Sequence, residues 1–220
     1  MGEEAAGFDD GVTVTLTDPQ AVATRLLAAE RVHVVGGPGV GKSAFASRIA
    51  AARGLELHHL DETAFEGPEF IVRAEDVTSH AARAFAAESR WVTEGIFVGW
   101  VDPLFERADV IVWLDHLSWS QAGRRIARRW FRQALREPVN RRGTDRFFRF
   151  RDYTRNTRHL IRVLVTSREY WSNRPQPRRY TVTRVQVRAA LEPYGDKVLR
   201  IATVDEAETV LRLIDQSAQA

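Results

Sequence analysis

The sequence feature that most limits the possible folds is the glycine-rich segment Gly36 to Ser43, GGPGVGKS. It matches the pattern G-x-x-x-x-G-K-[ST] at every fixed position. The β-branched run Arg31 to Val35 precedes it, and a helical pattern from Ala44 to Arg53 follows it. A strand, a glycine loop and a helix in this order predict that backbone N–H groups converge on phosphate oxygens at the positive end of the helix. The residues predicted to contact a nucleotide are Gly36, Gly37, Pro38, Gly39, Val40, Gly41, Lys42, Ser43 and Ala44.

Two side chains of this loop carry specific chemistry. Lys42 can place a positive charge beside the β and γ phosphates, and we assign it a catalytic role. Ser43 can place its hydroxyl on Mg²⁺. The predicted cofactors are therefore ATP, or another nucleoside triphosphate, and Mg²⁺.

The rest of the chain alternates between strand and helix patterns, which predicts an α/β fold: a five-stranded parallel sheet with helices on both faces. The strands are predicted at Arg31 to Val35, Leu55 to Leu60, Trp91 to Thr93, Asp109 to Leu114 and Lys197 to Ala202. Helices are predicted at Ala44 to Arg53, Ile71 to Glu88, Ser118 to Leu135, Asp152 to Thr166 and Val204 to Ile214. At 220 residues the chain suits one principal core. We expect an N-terminal extension at residues 1–30, with a strand at Val12 to Leu16 and a helix from Asp18, and one domain at residues 31–220.

Acidic residues follow three of the predicted strands. Asp61 comes after the second strand, where a carboxylate can orient or deprotonate an acceptor hydroxyl, so we predict a catalytic role. Glu94 ends the third strand, beside the loop-bearing strand, and is predicted to hold the Mg²⁺ water shell with Ser43. Asp115 closes the fourth strand, and helix capping is its predicted role.

Basic charge is concentrated in one part of the chain. Residues 124–188 contain 20 arginines, no lysine and four acids, a net charge of +16, whereas the whole chain carries +3. Such a segment favours anionic partners. Arginines repeat at i and i+4 on the helix that begins near Ser118, and guanidinium groups bind phosphate oxygens in pairs. We predict an arginine-rich lid or insertion at about 124–151, with Arg124 and Arg128 as catalytic residues and Arg141 and Arg142 as further lid residues.

A second interpretation of this segment is a nucleic-acid surface. Arginines alternate there with aromatic side chains that could stack on bases, namely Phe147, Phe148, Phe150 and Tyr153. The sequence leaves this alternative open.

Three strings extend the similarity beyond the loop: VHVVGGPGVGKSAFASRIAAARGLELHHLDE, RWVTEG and RADVIVWLD. With the arginine-rich helix that follows them, they resemble the adenylate-kinase-like P-loop proteins known as bacterial topology modulation proteins. The resemblance covers about residues 31–170 and the last strand and helix. It implies the fold of nucleoside monophosphate, shikimate and gluconate kinases, with a mobile arginine lid after the fourth strand. The chain departs from the usual Asp-Gly-Asn-Tyr motif at Glu94, Gly95, Ile96 and Phe97.

Composition excludes some classes of site. The chain has no cysteine, so a disulfide or a thiolate metal site cannot form. No apolar run approaches the roughly 18 residues of a membrane span, and the acidic opening is unlike a signal peptide, so we expect a cytoplasmic protein without a membrane partner. The predicted function is ATP-dependent transfer of the γ-phosphoryl group to a small-molecule or nucleotide acceptor. The alternative is a nucleotide-dependent switch or ATPase acting on nucleic acid or a protein partner. Neither the acceptor nor the oligomeric state follows from the sequence.

Overall fold

The computed structural model describes residues 18–66, 71–136, 160–161, 163–172 and 182–218. The predicted strand at Val12 to Leu16 and the predicted lid residues Arg141 and Arg142 lie outside these residues, as do the aromatic residues of the nucleic-acid interpretation. Among the described helices, none has the length and apolar character that a membrane crossing requires.

The elements follow one another as α1 (Pro19–Ala28), β1 (Arg31–Gly36), α2 (Lys42–Arg53), β2 (Leu57–His59), α3 (Leu60–Ala64), β3 (Phe65–Glu66), β4 (Ile71–Val72), α4 (Glu75–Ala87) and β5 (Trp91–Gly95). They continue as α5 (Asp102–Arg107), β6 (Val110–Leu114), α6 (Trp119–Arg136), α7 (160–161 and 163–168), α8 (Arg184–Leu191), β7 (Val198–Ile201) and α9 (Val204–Ser217). Short 3-10 helices lie at Glu169–Trp171 and Glu192–Lys197.

Five strands form one sheet in the order β2-β5-β1-β6-β7, and all of its pairings are parallel. The predicted fold class is therefore confirmed. Because parallel strands end at the same edge, the loop after β1 and the residues after β2, β5 and β6 meet at the carboxyl edge of the sheet.

Each face of the sheet has its own hydrophobic core, because successive strand residues point to opposite faces. On one face Val34, Val112 and Leu199 pack with buried residues of α1, α2 and α9. On the other, Val35, Ile111 and Trp113 pack with buried residues of α4, α5 and α8. The helix of the predicted N-terminal extension contributes to the first of these cores.

The structure differs from the prediction between β2 and α4. Strand β2 ends at His59, and Leu60–Ala64 form a short helix before a two-stranded antiparallel sheet of β3 and β4. The helix predicted from Ile71 begins only at Glu75, since Ile71 and Val72 pair as a strand. Phe65, Ile71 and Val72 are aromatic or β-branched residues, which favour this extended conformation.

The predicted capping role of Asp115 is wrong. Its side chain, only 3% exposed, accepts hydrogen bonds from Nε and a terminal nitrogen of Arg184, both at 2.6 Å. It also accepts a hydrogen bond from Nε of Arg200 at 3.0 Å. The helix that follows, α6, begins at Trp119, and the backbone N–H of Ser118 just before it donates to the side chain of Gln121. The carboxylate is therefore the anionic centre that joins α8 to β7.

Replacing Asp115 with Ala should lower the free energy of unfolding by about 3 to 5 kcal/mol, since it leaves two partly buried guanidinium groups without their shared carboxylate. Urea denaturation measures the loss. The control is Asp215→Ala, which removes a surface ion pair with Arg48 and should cost no more than about 1 kcal/mol. Equal losses for the two variants would contradict the central role of Asp115.

Candidate functional site

The glycine loop runs from the end of β1 at Gly36 to the start of α2 at Lys42. Gly41 is the N-cap of α2 with a φ of 102°, a left-handed conformation that favours glycine. The first turn of α2 contains no acidic residue, so its positive N-terminal end faces the loop without a nearby carboxylate of its own. This is the strand, loop and helix that the motif requires.

Two other parts of the chain pack closely against the loop. A Cβ atom on Gly37 would lie 2.6 and 2.7 Å from two ring carbons of Tyr170 and 3.2 Å from the ring of Trp171. A Cβ atom on Gly39 would lie 2.9 Å from the Ile126 side chain of α6. The glycines therefore also make room for the 3-10 helix Glu169–Trp171 and for α6.

The aromatic pair over Gly37 is anchored on both sides. Tyr170 is buried, and its hydroxyl accepts a hydrogen bond from Nε1 of Trp113 at 3.3 Å. Nε1 of Trp171 donates to the carbonyl of Leu117 at 2.9 Å. One anchor lies in β6 and the other in the segment that follows it, so this part of the chain fixes the rings against the loop.

Lys42 is the loop's charged group. Its Nζ donates to the carbonyl of Gly37 at 3.2 Å, which keeps the ammonium within the loop. Desolvation lowers the pKa of Lys42, while the negative charges of Glu94 and Asp61 act in the opposite direction. The lysine is thus a partly desolvated cation facing two carboxylates.

Glu94 connects the loop to the second strand. One of its oxygens, Oε1, accepts a hydrogen bond from Oγ of Ser43 at 2.9 Å and contacts Nδ1 of His59 at 2.8 Å. The carboxylate is buried, with 4% of its side chain exposed. A hydroxyl and a carboxylate are the oxygen donors that Mg²⁺ binds, and here they meet at the start of α2. The residues present therefore fit the predicted magnesium site.

Asp61 lies in the first turn of α3, beyond the end of β2 rather than directly on it. It is exposed, yet partial desolvation by the surrounding protein raises its pKa. The nearby positive charge of Lys42 opposes that rise. The structure thus brings Asp61 together with Lys42 and Glu94.

A cleft of about 310 Å³ opens between β2, α3 and α4. It is lined by Leu57, His58, His59, Glu62, Thr63, Arg73, Val77, Ala81 and Phe85. A larger cavity of about 410 Å³ lies between the loop after β5 and α8, but no residue of the glycine loop lines it. No residue of the glycine loop lines the smaller cleft either, but its lining includes His59, which contacts Glu94, and Glu62, which follows Asp61.

Five arginines of α6 are exposed, and two of them act on the site; the five are Arg124, Arg125, Arg128, Arg129 and Arg132. The charge of Arg129 influences the pKa values of both Lys42 and Asp61, and that of Arg125 lowers the pKa of His116. Within the described part of the chain, the side chains of Arg124 and Arg128 form no hydrogen bond or ion pair. Their catalytic roles stay predictions.

Sequence reasoning missed three contributors to the site. The i and i+4 spacing marked both arginine rows of α6, but catalytic roles were predicted for Arg124 and Arg128 and not for Arg125 and Arg129. His59 was not predicted to belong to the site, and strand alternation points its ring and that of His58 to opposite faces. His116, directly after β6, interacts with the backbone of Val40 in the loop, and no sequence signal marked it.

The position of the glycine loop identifies the architecture. The loop connects β1 to α2, and β1 lies between β5 and β6 in the sheet. The fold is that of the P-loop NTPases. No protein-family model and no curated protein matches the chain.

Solved structures similar to this chain include a gluconokinase from Sinorhizobium meliloti 1021, 17% identical, covering 86% of this chain and 93% of its own, with a TM-score of 0.43. A shikimate kinase from Bacteroides thetaiotaomicron is 13% identical, covers 88% of this chain and 100% of its own, and also has a TM-score of 0.43. The narrower resemblance to topology modulation proteins stays a prediction.

Replacing Gly37 with Ala should destabilise the protein by about 1 to 3 kcal/mol, because the new methyl group would collide with the anchored ring of Tyr170. Urea denaturation gives the size of the loss. Gly123→Ala in α6 is the control. Its Cβ would meet the Trp119 ring at an ordinary 3.4 Å, and alanine favours a helix by about 1 kcal/mol, so stability should hold or rise. A Gly37→Ala variant as stable as the wild type would show that Tyr170 does not pack on the loop.

Proposed function

We propose that this protein is a Mg²⁺-dependent phosphotransferase that moves the γ-phosphoryl group of ATP, or of another nucleoside triphosphate, to a small acceptor. The observation that carries the proposal is the convergence of Lys42, Ser43, Glu94 and Asp61 at the carboxyl edge of a P-loop sheet. The donor site, the metal site and an acceptor carboxylate are then neighbours. In-line transfer requires that the donor, the metal ion and the acceptor lie close together.

The donor binds along the P-loop. Backbone N–H groups from Gly36 to Ala44 face the phosphates, and Lys42 exchanges its contact with the Gly37 carbonyl for the β and γ phosphate oxygens. Ser43 and Glu94 hold the magnesium ion, which offsets phosphate charge when it is bound. A phosphate group of the donor also restores the charge balance around the desolvated lysine.

The acceptor occupies the cleft of about 310 Å³ beside α3. Its hydroxyl oxygen forms the new bond to the γ-phosphorus as the bond from that phosphorus to the bridging oxygen breaks. Asp61 takes the hydroxyl proton, for which its raised pKa suits it. The volume is at the lower end for ligand pockets, which favours a small acceptor.

Arginines of α6 complete the site from the opposite side. Arg129 is the member of the row whose charge reaches both Lys42 and Asp61, so we add it to the predicted pair Arg124 and Arg128. Guanidinium groups there neutralise the charge that spreads over a transferring phosphoryl group. We further propose that about 124–151 forms a lid over the nucleotide, and that the chain is related to the topology modulation proteins that its sequence resembles.

A second candidate function rests on the arginine face of α6. Arg124, Arg125, Arg128, Arg129 and Arg132 are all exposed. Such a face suits the phosphates of a nucleic acid, with nucleotide hydrolysis as a switch. Stimulation of ATP hydrolysis by single-stranded DNA or RNA, lost as salt rises, distinguishes this function from transfer to a small molecule.

Replacing Lys42 with Ala should weaken binding of a non-hydrolysable ATP analogue at least about tenfold and abolish turnover, because the lysine contacts the ligand rather than the core. Isothermal titration calorimetry measures the affinity. The control is Lys197→Ala, the only other lysine of the chain, whose Nζ donates to the carbonyl of Glu106. Equal affinity for the analogue in the two variants would show that the P-loop does not bind the nucleotide.

Replacing Asp61 with Asn should lower the transfer rate by about 100-fold or more while leaving ATP affinity within about threefold, since the carboxylate serves the acceptor and not the donor. A screen of hydroxyl and phosphate acceptors with labelled ATP identifies the substrate for this assay. If the Asn variant transfers phosphate at the wild-type rate, Asp61 is not the proton acceptor.

A further inference from the structure

We propose that His59 is a positioning residue for magnesium, acting through Glu94. This inference rests on the proposed function, because it concerns the metal site of the same P-loop. It assigns a role to a side chain that neither the loop motif nor the strand-end acids indicated. His59 contacts the buried carboxylate of Glu94, which also accepts a hydrogen bond from Ser43 of the loop.

Strand pairing dictates the contact. His59 is the Cα partner of Glu94 in the parallel pairing of β2 with β5, and Val34 is the partner of Glu94 in β1. Paired residues of neighbouring strands point to the same face of the sheet. Glu94 therefore has an apolar neighbour on one side and an imidazole on the other. A register slip of one residue in β2 would replace His59 with His58 or Leu60 and remove the contact.

The hydrogen-bond pattern shows what His59 does to the carboxylate. An ionised carboxylate only accepts, so Nδ1 of His59 is the donor. The Ser43 hydroxyl donates to the same oxygen, Oε1. Two donors on one oxygen fix the orientation of the carboxylate plane. They leave Oε2 of Glu94 as the oxygen available to a metal ion or its water.

The ring of His59 also lines the cleft of about 310 Å³, and its other surroundings in the described part of the chain are compatible with a positioning role. His59 occupies the N-cap position of α3, but its side chain makes no capping hydrogen bond. The imidazole is 36% exposed at the rim of the cleft, so it is not a core residue. His58, its neighbour, lies on the other face, where it stacks on Phe85 and contacts Glu88.

Partners of this kind, which orient a metal ligand without touching the metal, typically change metal affinity by about 10-fold to 100-fold. Without His59, one donor to Oε1 is lost and Glu94 gains rotational freedom. The loss of this hydrogen bond therefore weakens magnesium binding. Nucleotide binding without the metal depends on the loop amides and Lys42, which His59 does not contact, so it should stay unchanged.

The experiment compares the affinity for a non-hydrolysable ATP analogue in excess Mg²⁺ and in EDTA, by isothermal titration calorimetry on the full chain. For the wild type, Mg²⁺ should strengthen binding. His59→Ala should reduce that strengthening by about 10-fold or more without changing the affinity in EDTA. His59→Asn keeps an amide N–H close to the position of Nδ1 and should restore most of the effect. His80→Ala, which replaces an exposed histidine of α4 outside the cleft, is the control and should behave as the wild type.

The outcomes separate the inference from the proposed function. A wild type with no magnesium-dependent nucleotide binding overturns the proposed function, and this inference with it. A clear dependence in the wild type that is equal in His59→Ala overturns the inference alone. Loss of affinity in EDTA as well would show a structural role rather than a positioning one and also overturns it. If His59→Ala does not fold, His59→Leu, which has no donor, replaces it in the same comparison.

Discussion

The site depends on the position of β5 between β1 and β2. Because all three strands are parallel and in register, Val34, Glu94 and His59 lie side by side near the carboxyl edge of the sheet. The start of α2 lies over the same face and brings Ser43 to within 2.9 Å of Glu94. A carboxylate in this position could not stay buried without those two donors, since an unpaired buried charge is costly. The sheet and the metal site therefore stabilise one another.

Charged groups of both signs lie around Ser43 and Glu94. Lys42 is partly desolvated and faces Glu94 and Asp61, while Arg129 approaches from α6. The carboxylates favour the charged lysine, and the arginine disfavours it. A triphosphate adds negative charge where two cations meet, and Mg²⁺ adds positive charge where two carboxylates meet. The proposed ligands thus relieve repulsions that the protein alone retains.

The sequence predicted the sheet and the loop because both depend on local patterns. The five strands are short apolar runs, and GGPGVGKS fixes the conformation and the position of the loop. Asp61 and Glu94 could be selected because each follows a predicted strand. Asp115 was misinterpreted, since its partners Arg184 and Arg200 are distant in sequence and come close only through the packing of α8 and β7. The contact of His59 depends on strand order and register, and the packing of Tyr170 on Gly37 depends on the path of the chain after α6. Neither leaves a periodic signal.

The central claim is that the P-loop, Ser43 and Glu94 together bind a metal–nucleotide complex. A crystal structure with a non-hydrolysable ATP analogue and Mn²⁺ in place of Mg²⁺, with the ion located by its anomalous scattering, tests it most directly. The account predicts the phosphates along Gly36 to Ala44 and the ion on Oγ of Ser43, with Glu94 bound to the ion or to one of its waters. Nucleotide bound elsewhere, or an ion held by neither Ser43 nor Glu94, would contradict it.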